Sequence, residues 1–171
     1  MEYLNHNQQI VDFEDGNNFY PHLPSGAFIL LICPRTGRVL LGKRHSESEY
    51  QPNTWFGFGG HCETEETPAY TAIREMEEEA KIFPTDYKLS IEPVYIDVNI
   101  DSSDVKHTIY VYIGTVENEL QPTLNDEHID AKWLKFSQLS QLNLFSTLIK
   151  IFTDIESISK VKFFLFNDNS L

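Results

Sequence analysis

The chain of 171 residues changes rhythm several times between runs of apolar residues and polar stretches. Met1 to Pro24 is polar and rich in Asn and acidic residues, so residues 1–23 read as an N-terminal arm or added edge element and 24–171 as a single domain. The unbroken apolar run Ala27 to Cys33 has the length and composition of a buried strand. Pro34 to Gly37 signals a turn, and Arg38 to Arg44 follows as a second strand, pairing with the first as a hairpin. Side-chain alternation puts Leu40, Gly42 and Arg44 on one face of it. His45 to Asn53 is a polar loop, and Thr54 to Phe58 is a short aromatic strand running into Gly59 and Gly60.

The period then becomes helical. Thr67 can cap a helix and Pro68 suits its first position. Ala69, Ala72, Ile73, Met76 and Ala80 recur as one apolar stripe, and Pro84 marks the outer limit. Val94 to Ile100 and Thr108 to Val116 read as strands joined by an Asp101 to Asp104 turn. A polar loop through Leu124 to His128 leads to a short strand around Trp133 to Phe136. A second helix spans Thr147 to Ile158, with Leu148, Ile151, Phe152, Ile155 and Ile158 on one side. The order implies an α/β sandwich, a mixed sheet with a helix on each side.

Composition narrows the partners. Hydrophobic residues at 41% and aromatics at 13% belong to a folded globule. With 13 basic against 26 acidic residues, the net charge of −13 argues against nucleic-acid backbone or anionic lipid as general partners. A small nucleotide remains open, because phosphate can reach carboxylates through a divalent metal. Cys33 and Cys62 form no CxxC pair and are too few for a disulfide scaffold. The opening MEYLNHNQQI lacks the basic and apolar regions of a secretory leader, and no apolar run approaches the ~20 residues of a spanning helix. The expectation is a soluble cytoplasmic protein.

The chemistry is concentrated in Gly60 to Ile82, which carries seven glutamates against Arg74 and Lys81. A solvated acidic helix is the ordinary explanation of such a run. Helical geometry speaks against it. With the apolar stripe at 0°, Glu78 falls near about 180°, Glu75 near about 240° and Glu79 near about 280°. Three like charges share one arc beside the buried stripe, which costs a helix stability. Arg74 has one helical partner, Glu78 at i+4. Hard oxygen ligands without His or Cys spacing favour Mg²⁺ or Mn²⁺ over zinc.

The segment resembles the box of the Nudix hydrolases, G-x5-E-x7-R-E-U-x-E-E-x-G-U, with U a bulky aliphatic residue. Gly60, Glu66, Arg74, Glu75, Met76, Glu78, Glu79 and Ile82 fall in register, and Lys81 stands where the family usually has glycine. Such a glycine serves a left-handed helix end, so the helix end is where the departure should be felt. Ahead of the box, Leu40 to Arg44, Trp55 and Gly59-Gly60 fit the family. Trp55-Phe-Gly-Phe-Gly-Gly60 is similar to hydrolases that clear oxidised purine nucleoside triphosphates. Downstream, Leu124 to Trp133 resembles the family's loop-then-Trp segment, where an extra Glu often completes the metal site; Glu127 fits it.

The resemblance implies a Nudix-type α/β/α sandwich that hydrolyses a phosphoanhydride bond in a nucleoside diphosphate derivative, by water attack on phosphorus. The substrate would be a nucleoside triphosphate, ADP-ribose or a nucleotide-sugar, and the cofactor Mg²⁺ or Mn²⁺. Glu75 and Glu79 would be ligands, with the Gly60 carbonyl and Glu127 completing the shell. Glu78 would be the general base oriented by Arg74, with Glu75 and Glu127 as alternatives, and Glu66 would brace the loop through Arg74. Arg44 is the candidate for a phosphate contact, Phe56 (with Tyr50, Phe58 and Phe83) for base stacking, and Asp126 for a purine edge. His61 and His128 flank the expected metal site. Many members dimerise, so a homodimer is open. The competing reading is a non-catalytic Nudix-fold module that senses a nucleotide or docks a partner.

Overall fold

The computed structural model describes residues 3–4, 10–11, 25–99, 106–154, 157–159 and 161–162. Within the arm, β1 (Tyr3–Leu4) and β2 (Ile10–Val11) pair with each other. The rest is organised around β3 (Ser25–Cys33), buried along its whole length. It is followed by β4 (Arg38–Arg44), β5 (Trp55–Phe56), β6 (Phe58–His61) and helix α1 (Pro68–Ala80). Then come β7 (Lys88–Leu89), β8 (Val94–Asn99), β9 (Lys106–Thr115), β10 (His128–Lys135), α2 (Phe136–Leu139) and α3 (Ser146–Thr153).

One mixed sheet results. β3 pairs in parallel with β9 along one side and antiparallel with β4 and β6 along the other. β10 lies outside β4, while β7 and β8 share the far edge of β9. A strand buried on both faces divides its side chains by parity. Ala27, Ile29, Leu31 and Cys33 pack with Ala72, Ile73 and Met76 of α1; Phe28, Leu30 and Ile32 pack with Phe145, Leu148 and Ile151 at α3. The expected sandwich, with a helix on each side, is the observed one.

Local differences have physical causes. The aromatic strand expected over 54–58 breaks at Gly57, with β5 pairing to β4 and β6 to β3. A Cβ at Gly57 would run into the Ile29 carbonyl, so only glycine lets the chain cross there. The last strand starts at His128, not near Trp133. The second helix stops at Thr153, where Asp154 is extended and its Oδ2 accepts the Ser157 amide at 2.7 Å. Leu148 and Ile151 are buried as expected; Ile155 and the Asp101 to Asp104 turn lie outside the described residues.

Helix α1 has the expected start. Thr67 Oγ1 accepts the Tyr70 amide at 3.3 Å, and Pro68 opens the first turn. At its end Lys81 takes φ 53°, ψ 38°, the left-handed geometry a glycine would adopt more cheaply. The cap therefore survives the substitution.

Candidate active site

Two groups of carboxylates meet on α1. The first is centred on Arg74. Its Nε donates to Glu66 Oε1 at 2.9 Å and its Nη2 to Glu66 Oε2 at 3.0 Å, a two-point grip. Its Nη1 donates to Glu75 Oε1 at 2.9 Å and to Glu78 Oε2 at 3.2 Å. Helical spacing alone left Arg74 with Glu78 as its partner. The structure keeps that partner and adds Glu66, the brace the resemblance implied, because the loop before the helix folds it back against Arg74. Thr71 Oγ1 (2.7 Å) and the Glu63 amide (3.2 Å) also donate to Glu66. Burial would raise the Glu66 carboxyl, but these bonds outweigh it and hold it below the ordinary value. The same bonds raise Arg74, which stays a cation.

The second group lacks such a cation. Glu79 is 1% exposed, and its Oε2 accepts the Gly59 amide at 2.7 Å. Burial first, then the charges of Glu75 and Glu127, push its carboxyl well above the ordinary value. Glu75 is also raised, by burial against the pull of Arg74, with Glu78 and Glu127 adding to the rise. Glu127 is exposed on the loop ahead of β10. The Thr123 amide donates to the Ala80 carbonyl at 2.8 Å and the Asn125 amide to the Glu79 carbonyl at 3.1 Å, which ties this loop to the end of α1. The charge of Glu127 thus reaches both Glu75 and Glu79. A Cβ at Gly60 would lie 2.5 Å from Glu75 Oε1, so the missing side chain makes room for the Glu75 carboxylate.

The donor set is oxygen throughout. Among the described residues no three His, Cys, Asp or Glu side chains converge into an ion cage of their own. A strongly hydrated cation such as Mg²⁺ does not require one, since it keeps several waters and takes one or two carboxylates. The residues present fit that ion.

Arg44 ends β4, opposite His128. Its Nε donates to the Tyr50 carbonyl at 3.2 Å, its guanidinium sits 5.9 Å from the Phe145 ring centroid, and its charge reaches Glu79. Asp126 is exposed beside Glu127, and His61 is exposed at the end of β6. The stacking role expected for Phe56 is overturned. It is 2% exposed, stacked on Phe145 at 4.8 Å and tilted against Phe28 at 4.5 Å, so it has no face to offer a base. Tyr50 packs edge-on against Phe145, Phe58 is fully buried, and Phe83 is 48% exposed. Sequence reasoning gave His128 only a flanking place; it is buried beside Glu79, for reasons visible only in the strand register.

A family model described as the NUDIX domain matches residues 22–154. The chain belongs to the Nudix family. Putative 8-oxo-dGTP diphosphatase 3 of Mycobacterium tuberculosis is 31% identical over 122 residues, 69% of this chain and 55% of the relative. The chain therefore matches little more than half the length of that curated relative. The fold is shared with a Nudix hydrolase of M. smegmatis, RenU (TM-score 0.66, 19% identity, 94% of this chain and 95% of that one). It is shared also with an Ap4A hydrolase of C. elegans (TM-score 0.65, 17% identity, 82% and 98%). The Nudix box of this chain accordingly lies on the loop and helix that carry the two carboxylate groups.

Proposed function

We propose that the chain is a divalent-metal-dependent hydrolase that cleaves a phosphoanhydride bond of a nucleoside diphosphate derivative. The supporting observation is the pair Glu75 and Glu79 on adjoining turns of α1, both raised first by burial and further by neighbouring carboxylate charge, that of Glu127 included. Such repulsion is costly unless a cation relieves it. Glu75, Glu79, Glu127 and the Gly60 carbonyl would hold Mg²⁺ or Mn²⁺, which when bound neutralises the diphosphate and lowers the pKa of a bound water. Glu78, 58% exposed and held at Oε2 by Arg74, would take the proton of an attacking water. Glu66 acts through Arg74 as a positioning residue. Arg44 would contact a phosphate of the substrate and Asp126 a purine edge.

Purine nucleoside triphosphates, oxidised ones included, are the first substrates to try. The support is the relative named for 8-oxo-dGTP, together with the Phe-Gly-Gly form of the segment before the box. ADP-ribose and Ap4A come next, since one protein sharing the fold is an Ap4A hydrolase and another holds ADP-ribose in complex. Residues 24–171 would act as one domain on small nucleotides in the cytoplasm, with no nucleic-acid partner, in keeping with the net charge of −13. Among the described residues no helix is long and apolar enough to cross a membrane.

The test is a substrate panel with Mg²⁺, Mn²⁺ or EDTA, with the released phosphate or pyrophosphate identified. Metal-dependent turnover should fall by about 10²–10⁴-fold in Glu78→Gln. Full turnover in EDTA, or in that variant, sinks the reading.

A further inference from the structure

His128 is placed by a fault in the sheet. On β10, Trp133 and Ala131 pack toward the α1 side, opposite Leu40 and Gly42 of β4. Strict alternation would turn Ile129 to that side next. The register instead shifts between His128 and Asp130, and His128 pairs with Arg44. Ile129 is left 48% exposed, and His128 takes the inward position with its side chain only 2% exposed. Bulges near active sites commonly re-aim one side chain in this way. Gly42 makes the room, since a Cβ there would lie 2.7 Å from His128 Cδ2. The ring rests against Phe58 at 5.1 Å.

All this brings a polar atom into an apolar place without satisfying it. Among the described residues His128 Nδ1 has no hydrogen-bond partner, and the nearest carboxylate oxygen in an ion-pair contact is Glu79 Oε1 at 3.9 Å. The other Glu79 oxygen is already held by the Gly59 amide. A turn of the carboxylate about that anchor by roughly 1 Å would bring Oε1 into hydrogen-bond range of Nδ1. We propose that His128 is a positioning residue for Glu79, its Nδ1–H donating to Oε1 when Glu79 turns to a divalent cation. Glu79 is then fixed at both oxygens by groups that do not themselves bind the ion. Outer-shell donors of this kind set ligand orientation.

The inference rests on the reading of Glu79 as a metal ligand. Mn²⁺ binding followed by electron paramagnetic resonance, with folding checked by circular dichroism, tests both separately. His128→Leu removes the donor and should weaken Mn²⁺ about 10–100-fold. His128→Asn, whose side-chain amide reaches roughly where Nδ1 lies, should recover most of that. Wild-type affinity in His128→Leu overturns the inference, as does an equal defect in both variants, which marks a packing role. Glu79→Gln separates the two levels: if it binds Mn²⁺ as wild type does, the ligand reading fails and the inference with it. Should His128→Leu not fold, nitrogen-15 NMR of the Mg²⁺-loaded wild type decides. A proton on Nδ1 supports the inference, and a bare Nδ1 overturns it.

Discussion

The two glutamate groups of α1 differ less in composition than in what surrounds them. Glu66 and Glu78 meet the guanidinium of Arg74, and Glu66 is held below its ordinary pKa. Glu79, buried one residue beyond Glu78, meets an amide, a neutral-side imidazole and two further carboxylates, and is pushed up. His128 is itself lowered to about 4, by burial and then by Arg44, so it brings no positive charge at neutral pH. The cation built into the chain compensates the first group. Glu79 has no such ion pair with Arg74, and on the proposed reading a cation from solution would supply the compensation. Glu75 belongs to both, with Oε1 on Arg74 and its charge felt by Glu79.

The largest separation between the groups should come from Glu79→Gln. Metal-dependent hydrolysis is expected to fall by more than about 10²-fold, beyond the cost of an outer-shell change. Thermal melting in EDTA should show no loss of stability, because the variant removes a buried, repelled charge. A destabilised variant with normal turnover would reverse the assignment.

Arg74→Ala should act in the opposite sense. It strands Glu66 and Glu75, 11% and 15% exposed, and should cost about 3 kcal/mol in urea unfolding even without metal. Arg74→Lys should recover only part, since an ammonium cannot make the two-point grip on Glu66. Full recovery would show that charge alone matters there.

Metal and pH sharpen the contrast further. Glu75 and Glu79 are raised above 4.5, so their contribution to stability is present below that pH and is lost as pH rises through the raised values. Glu66 is lowered, so its contribution is present above pH 4.5 and is lost as pH falls through the lowered value. Without metal, stability should therefore decline as pH rises from 4.5 through the raised Glu75 and Glu79 values and level off above them. Mg²⁺ or Mn²⁺ at 100 times its Kd should add about 2.7 kcal/mol at neutral pH, and progressively less on acidification. A pH-independent increment in calorimetry would mean that these carboxylates are not the ligands.

Much of this was legible in sequence because it depends on short-range rules. The length of β3, the Thr67–Pro68 start of α1 and the buried face of α1 follow from periodicity and capping. The register of Glu75, Glu78 and Glu79 follows from one helix. Contacts made by chain reversal were not legible from periodicity. That Glu66 reaches Arg74 from eight residues earlier followed only from the resemblance to the box, since no helical rule favours that separation. Phe56 looked available because an aromatic beside a glycine-rich turn has the same composition whether it lines a cleft or fills a core. The two-residue β7 and the four-residue α2 are too short to carry a period. The bulge that aims His128 is a property of two strands, and neither segment reveals it alone.

The smallest expected effect lies at the helix end that both groups share. Lys81→Gly should stabilise the protein by about 1 kcal/mol, the left-handed cost relieved, less the entropy that glycine adds to the unfolded chain. Turnover should not change, and a change would show that the cap geometry reaches Glu79.

The parity of β3 has a practical consequence for anyone wishing to re-engineer this protein. Its even-numbered residues Phe28, Leu30 and Ile32 look toward α3, away from both glutamate groups, while Ala27 and Ile29 lie under the helix that carries them. Thermostabilising libraries belong on the even side, where repacking need not disturb a carboxylate. On the odd side, one added methylene under α1 would shift Glu75, Glu78 and Glu79 together.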